Sequence, residues 1–425
     1  TLMRCIAGFE TPDAGHVEIV GDLGVRDAIF YLPDAVTPYP ELTVKRILSL
    51  FAAAFGAGAE AGAASRAQTA LQLDPVAAKR AGALSKGYRR RLLLAIALLS
   101  HQPVLFLDEP FDGLDLHQVR TVAALLRTLP NGCATVSRCS PRVACWPWAA
   151  WMNCASALAS RGAAWRRCFL PLPHRPWPDL LRKELAGLLS GRAFWVLLLV
   201  QALLTGLSYA QAVGLYAEAS RTALQTPAMA VGMAPLEGVL VPTFGSLYLG
   251  LTLLYPFVAI RQVSRERGEG MLLLLLQTRV PLWAWLGAKL LALGLAALLV
   301  LAVPLSALAF WGAAGGHLAV GETASLILGS ALYAFLITGI ACLAAALMDS
   351  AAGAAIFTLS ATLGAWALDF AAAGDRGWVH SLGGLSITAV LRRFESALVT
   401  LADPVGLVAA GLAAVAIAGL WLHPL

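Results

Sequence analysis

Six long apolar stretches constrain this chain more than anything else in it: Phe194 to Val213, Val239 to Ile260, Leu282 to Trp311, Leu326 to Leu347, Ala352 to Ala372 and Val405 to Leu422. A helix needs about 20 apolar residues to cross the hydrocarbon layer of a bilayer, and each stretch is of that order. They are internal and too long for signal peptides. Composition agrees, because the 425 residues are 59% hydrophobic and only 13% charged, with mean hydropathy +0.72, whereas a soluble protein carries about 25% charged residues. The apolar stretches fill the region after Phe194, so the chain divides into a polar, basic first part and an all-α polytopic membrane part of six transmembrane helices.

The polar part carries its own pattern. Leu84-Ser85-Lys86-Gly87-Tyr88 precedes the apolar run Val104 to Leu107, which ends in Asp108-Glu109-Pro110 and is followed by Gly113-Leu114-Asp115. The apolar run reads as a buried parallel strand, which delivers its C-terminal residues to the ligand-binding edge of an open α/β sheet. Asp108 at that edge suits Mg²⁺. Glu109, one residue on, suits polarisation of a water for in-line attack on a γ-phosphate, since phosphoryl transfer is mostly positioning and charge stabilisation. Ser85 and Gly87 open a helix predicted over Arg89 to Ser100, whose free N–H groups and positive dipole end favour a phosphate.

These motifs, in this order, resemble the ATP-binding-cassette (ABC) ATPases. The resemblance makes Leu84 to Tyr88 the signature loop, Val104 to Glu109 the Walker B strand and Asp112 to Asp115 the D-loop. The family's usual signature is LSGGQ, so Lys86 and Tyr88 depart from it while Ser85 and Gly87, whose hydroxyl and amide face the γ-phosphate in the family, are kept. Thr1 to Phe9 and Pro12 to Val17 resemble the helix after a phosphate loop and the turn beyond it. Thr1 matches the last residue of that loop, and an N-terminally truncated sequence is the expectation. Phe30-Tyr31-Leu32-Pro33-Asp34, with Tyr39 to Val44 after it, resembles the Q-loop with Asp34 in place of glutamine; an ionised carboxylate approaches Mg²⁺ or its water but donates no hydrogen bond. The resemblance implies ATP and Mg²⁺ as cofactors. It makes Glu109 catalytic, places Thr1, Asp34, Ser85, Lys86, Gly87 and Asp115 at the nucleotide, and gives the metal to Asp108.

The membrane part has a looser resemblance. Trp177 to Leu185 is amphipathic, with apolar Leu180, Leu181, Leu185, Leu188 and Leu189, and suits the membrane interface. Ser264 to Leu272, continuing through Val280-Pro281 to Lys289, resembles the cytoplasmic loop of type-2 ABC exporter permeases, in which a short helix rests in a cleft of the ATPase. On that resemblance Arg265, Glu266, Arg267 and Glu269 pair with charges of the ATPase and transmit its closure; a solvated charge cluster that only anchors topology is the alternative. With the ATPase in the cytosol, Arg182, Lys183, Arg192, Arg261, Arg265, Arg267 and Arg279 fall on the inner side, in line with the positive-inside rule. Arg221, Arg376, Arg392 and Arg393 fall outside. Asp349 and Asp369 are the acids closest to the membrane and candidates for a role in transport, and His380 with Arg392 and Arg393 lies in an outer segment, Gly374 to Leu401. The general resemblance is to permeases of nitrous-oxide-reductase maturation and gliding-motility exporters, which leaves the cargo open.

Between the parts, Cys133, Cys139, Cys145, Cys154 and Cys168 accompany Trp146, Trp148, Trp151, Trp165 and Trp177. No C-x₂-C pair is present and no histidine follows until His174, so the spacing fits neither a zinc nor a redox site. The ABC pattern calls here for a strand and a switch histidine. Ala134-Thr135-Val136 begins a strand and Ser137-Arg138-Cys139-Ser140-Pro141 breaks it. An out-of-frame reading between about Leu129 and Pro173 explains such composition; an authentic divergent linker competes with it. The organisation expected is a partial ABC ATPase domain over 1–132, the anomalous linker over 133–176 and a six-helix permease over 177–425. The fold class is an incomplete α/β ABC-type nucleotide-binding domain followed by an all-α membrane domain. The function expected is ATP-driven export of an unidentified substrate by a homodimeric half-transporter of the cytoplasmic (inner) membrane, with no nucleic-acid partner. The alternative is a membrane protein with a degenerate, inactive ATPase.

Overall fold

The computed structural model describes residues 2–11, 13–14, 16, 28–34, 36–56, 62–100, 102, 104–128, 177–225, 234–374 and 386–422. Thr1, His380, Arg376 and the Cys/Trp-rich segment up to residue 176 lie outside them, as does the strand expected at Ala134 to Val136. Along the first part run α1 (Leu2–Ile6), β1 (Ile29–Leu32), α2 (Val44–Ala54), α3 (Ala63–Ala70), α4 (Lys86–Leu99), β2 (Val104–Leu107) and α5 (Leu116–Thr128). The second part holds α6 (Trp177–Ser190), α7 (Arg192–Gln225), α8 (Val241–Leu253), α9 (Tyr255–Gly268), α10 (Met271–Leu276), α11 (Leu282–Ala313), α12 (Val320–Leu347), α13 (Ala351–Gly374), α14 (Ile387–Glu395) and α15 (Ala402–Leu422).

Two compact units result. One comprises the described residues up to Ala186 with Glu266–Ala288; the other comprises the described residues of Gly187–Arg265 and Lys289–Leu422. In the first unit, β1 and β2 pair in parallel with Ile29 opposite Val104 and Leu32 opposite Leu107. All four residues of β1 are buried, the near-continuous apolar run that a parallel strand covered on both faces requires. The Asp108 N–H donates to the Leu32 carbonyl at 2.9 Å. This bond carries the pairing one residue past the strands, so the turns bearing Asp34 and Glu109 leave the sheet side by side. Helix α2 starts at Thr43, whose hydroxyl accepts from the Arg46 N–H, and it buries Val44, Ile47, Leu48 and Phe51. Helix α4 begins at Lys86, three residues before the Arg89 that the sequence suggests. Ser85, extended at φ −64° and ψ 162°, accepts from the Tyr88 N–H and so acts as N-cap.

The second unit contains the apolar helices. Among the described residues, spans long and apolar enough to cross a membrane number six: Arg192–Thr222, Leu236–Gly268, Leu282–Ala313, Val320–Leu347, Ala351–Ala372 and Ala402–Leu422. The second is interrupted at Leu254, between α8 and α9, where Pro256 cannot donate to the preceding turn. Small residues let α12 and α15 touch: a methyl group added at Gly339 would sit 2.7 Å from the Gly411 carbonyl, the close approach typical of membrane helices. Buried hydroxyls pair within the bundle, Thr252 with Tyr333 at 2.7 Å and Tyr255 with Thr338 at 3.0 Å, as an apolar environment demands. Asp369, near the end of the fifth span, pairs with Arg392, and Arg393 chelates Asp403 through Nε and Nη2 at 2.9 and 2.6 Å. Both arginines belong to the last turn of α14.

Candidate nucleotide site and coupling helix

The parallel register places three carboxylates together. Asp34 after β1, Glu109 after β2 and Asp112 in the following turn bring one oxygen each within 4.8 Å of one another. Asp108, favoured for the metal by sequence, is half-buried at the strand end and is not part of this trio. Such a donor set fits a divalent cation of the magnesium kind, which takes one or two carboxylates and leaves its remaining positions to phosphate and water.

Beneath the trio lies a residue that motif reading missed. Arg90, buried in the second turn of α4, donates from Nη1 to the Asp34 carbonyl at 3.2 Å and from Nη2 to the carbonyls of Asp108 and Glu109. Its Nη2 is also 3.9 Å from the Asp34 carboxylate. Burial pulls the Arg90 pKa down from its ordinary value, opposed by Asp34, Asp112, Asp108 and Glu109. A charged residue in the middle of Tyr88-Arg89-Arg90-Arg91 gives no local sign of pointing inward; only the sheet register does.

The signature segment is exposed at Ser85 and Lys86 and is stitched to the turn after β2. Lys86 Nζ lies 3.0 and 2.8 Å from the two Asp112 carboxylate oxygens. Its hydrogen bond to Asp112 raises the Lys86 pKa, and the same bond lowers that of Asp112. Lys86 thereby holds both Asp112 oxygens, while the Asp34 carboxylate faces Arg90. A methyl group on Gly87 would meet the Gly113 carbonyl at 2.9 Å, and one on Gly113, at φ +74°, would stand 2.7 Å from Lys86 Cγ. These two positions require glycine for close approach and for left-handed backbone. Asp115, expected at the nucleotide, accepts from the Gln118 N–H at 2.8 Å and so caps α5.

The segment from Glu266 to Ala288 belongs to the same unit. Of the coupling residues read from sequence, Glu266 is buried, pairs with Lys183 of α6 and accepts from the Trp285 indole N–H at 2.6 Å. Lys183 also lies 2.7 Å from Glu184 and 4.6 Å from the centre of the Tyr39 ring. Burial opposes its charge, but Glu184 and Glu266 outweigh it and hold the Lys183 pKa well above the ordinary value. Burial, with Glu266 next, pushes the Tyr39 phenol well up. The carbonyl of Glu269 accepts from the Thr37 N–H at 3.0 Å. Arg265 and Arg267 are half-buried near the end of α9.

The tightest link to β1 is again one the sequence does not announce. Gln277, at the end of α10, accepts from the Tyr31 N–H at 2.6 Å and donates to the Tyr31 carbonyl at 2.9 Å. Leu273 of α10 packs on the cluster of Ala7, Phe9, Ile29, Tyr31 and Phe106. The Arg279 N–H donates to the Ala54 carbonyl at 3.1 Å.

Comparison with known proteins agrees with this arrangement. The ABC transporter family matches residues 1–112. The chain is 40% identical over 143 residues to ATP-binding cassette sub-family A member 6 of Mus musculus, covering 31% of this chain and 9% of that protein. It is 34% identical over 134 residues to the cobalamin import ATP-binding protein BtuD of Halobacterium salinarum, covering 29% of this chain and 34% of BtuD. It is 36% identical over 127 residues to the cytochrome c biogenesis ATP-binding export protein CcmA of Ruegeria pomeroyi, covering 30% and 58%. The chain therefore spans less than two thirds of the length of each of these relatives. Parallel strands ending in paired acids, a capped signature helix and the family match together make the N-terminal part an ABC transporter ATP-binding domain, fused ahead of an all-helical region with six helices of membrane-spanning length.

Proposed function

We propose that the protein is a half-transporter that works as a homodimer, hydrolysing ATP in the cytosol to export a substrate across the cytoplasmic (inner) membrane. One observation carries the reading: Asp34 and Glu109 meet at the ends of two paired parallel strands, beside an exposed signature segment. Exposure of Ser85 and Lys86 suits a second copy, whose nucleotide Ser85 and Gly87 would close. By the family resemblance Asp108 would hold Mg²⁺, with Asp34 approaching it or its water, and the ion would neutralise charge on the phosphates. Glu109 accepts a hydrogen bond from the attacking water and orients it. Lys86 ties the signature to Asp112, so the two segments move as one. Glu266, Lys183 and Gln277 join the segment before α11 to the ATP-binding domain and would pass its closure to the spans. Export is supported by the resemblance of that segment to exporter permeases.

Protein expressed from its own gene in lipid nanodiscs tests the reading. Glu109→Gln is expected to lower ATP hydrolysis by about 10²–10⁴-fold, the range for a positioned base, with nucleotide binding retained. Unchanged hydrolysis removes Glu109 from the chemistry. The competing reading, a degenerate ATPase, is favoured by Asp34 standing where the family has glutamine, and it predicts no hydrolysis in the native protein.

A further inference from the structure

We infer that Arg90 is a positioning residue for the hydrolytic centre: its guanidinium fixes the backbone of Glu109 in a left-handed conformation and ties that residue to the turn carrying Asp34. The inference rests on reading Glu109 as the base.

Glu109 has φ +47°. For a residue with a Cβ this region is unfavourable, and such residues persist only where their surroundings over-determine them. The Glu109 carbonyl accepts from the Asp112 N–H at 3.1 Å, and a single side-chain nitrogen bridges it to the carbonyl before it. The Asp108 carbonyl belongs to the peptide plane that turns with φ of Glu109, and the Glu109 carbonyl to the plane that turns with ψ. Arg90 Nη2 donates to both. In helical backbone of either hand, successive carbonyls point the same way and one donor can reach the two. Extended backbone would send them to opposite sides. A single donor to both planes therefore holds Glu109 out of extended backbone, and with φ at +47° it keeps the residue in the left-handed region that sets the direction of its side chain.

The second arm of the fork does something different. Nη1 donates to the Asp34 carbonyl at 3.2 Å, across the mouth of the sheet. The distance between the Asp34 and Glu109 turns is then set by one rigid planar group. Arginine suits this because its donors diverge at fixed angles, whereas a lysine ammonium is a point charge on a flexible stem. The buried charge is offset by the strand-end acids Asp34, Asp108 and Glu109 around it.

The test compares native protein, Arg90→Lys, Arg90→Met and Glu109→Gln, each expressed from its own gene in nanodiscs. Arg90→Lys keeps charge and approximate length, so folding is preserved where Arg90→Met fails. Expected for Arg90→Lys is kcat reduced on the order of 100-fold, as for a misplacement of about 1 Å, with ATP affinity within about threefold of native. Amide exchange should rise together in residues 33–37 and 108–112, on the order of tenfold, with exchange in the body of α4 unchanged. A packing role alone would raise exchange in α4 instead and overturn the inference, as would native kcat with native exchange in both turns. Glu109→Gln should lose hydrolysis with native exchange in both turns. If it keeps hydrolysis, the base assignment fails while the exchange data on Arg90→Lys still judge the positioning role.

Discussion

Replacing Gln277 by methionine keeps the length of the side chain and removes an amide that serves as a neighbouring strand. Residues in β1 alternate in the direction of their backbone groups. Leu32 faces β2, since its carbonyl receives the Asp108 N–H; Tyr31 faces the other way. No described strand lies there, and Gln277 satisfies both Tyr31 groups at 2.6 and 2.9 Å. Tyr31 is 3% exposed and Gln277 7%, so water does not replace the lost bonds without the segment opening. Each buried group left unsatisfied costs roughly 1–3 kcal/mol, which puts Gln277→Met at roughly 2–6 kcal/mol. At the lower bound, with tenfold per 1.4 kcal/mol, the Tyr31 amide should exchange roughly 25-fold faster.

Hydrogen exchange resolved to single amides in 29–34 is the assay, with Phe30, which faces β2, as internal control. Gln277→Glu sharpens it, because the carboxylate still accepts from the Tyr31 N–H but sets a second acceptor against the Tyr31 carbonyl. It should be at least as damaging as methionine. Equal acceleration of Phe30 and Tyr31 in Gln277→Met would mean that the whole strand pair has opened. No acceleration at either would mean that the amide pairing contributes nothing, and the reasoning fails in both cases.

Removing the ammonium shared by Glu184 and Glu266 is expected to be costly, at about 3–5 kcal/mol for breaking a buried ion pair from one side. Thermal unfolding of Lys183→Met should show the loss, and adding Glu266→Gln should recover part of it; strictly additive losses would deny that the two residues share a network. The Lys86–Asp112 pair behaves differently because it is exposed. Asp112 has a lowered pKa, so its contribution is present above the unfolded carboxylate value of about 4 and disappears as pH falls through the lowered one; Lys86 has a raised pKa, so its contribution is present below about 10.4 and disappears as pH rises through the raised one. Asp112→Asn should therefore loosen the signature segment by the same factor across roughly pH 5–9, and by less at high salt, as read by exchange in residues 84–88. A strong pH dependence inside that window would assign the clamp to some other group.

What was legible in sequence was whatever depends on neighbours along the chain. Val104 to Leu107 announces a buried parallel strand by composition, Ser85 announces a helix start, and the six spans announce themselves by length. Even there a local competitor moved one boundary: the Ser85 hydroxyl captures the Tyr88 N–H, so α4 starts at Lys86 rather than Arg89. Hidden from sequence was whatever depends on register. Asp34 and Glu109 are 75 residues apart, and only the pairing of Leu32 with Leu107 brings them together. Arg90 and Gln277 act on backbone groups, which carry no residue-specific signal. Neither side chain looks unusual among the arginines of α4 or the polar residues after α10.

The same distinction bears on how force would pass through the joint. Sequence suggests a charge-paired joint at Arg265, Glu266, Arg267 and Glu269, and salt weakens such pairs where they are exposed. The first unit also holds β1 through a neutral amide on Tyr31, and it holds Glu266 through a lysine and an indole that are both buried. Buried and neutral contacts are screened little, and they tolerate displacement poorly because an orphaned polar group costs more than a stretched surface pair. Tyr31 stands three residues before Asp34, on a strand whose far end carries a carboxylate of the site. Under the proposed function, movement of Asp34 on nucleotide closure would thus reach Gln277 as displacement of a strand rather than as a change of field. Coupling between ATP and the spans should then persist at high ionic strength, while the exposed Lys86–Asp112 clamp weakens.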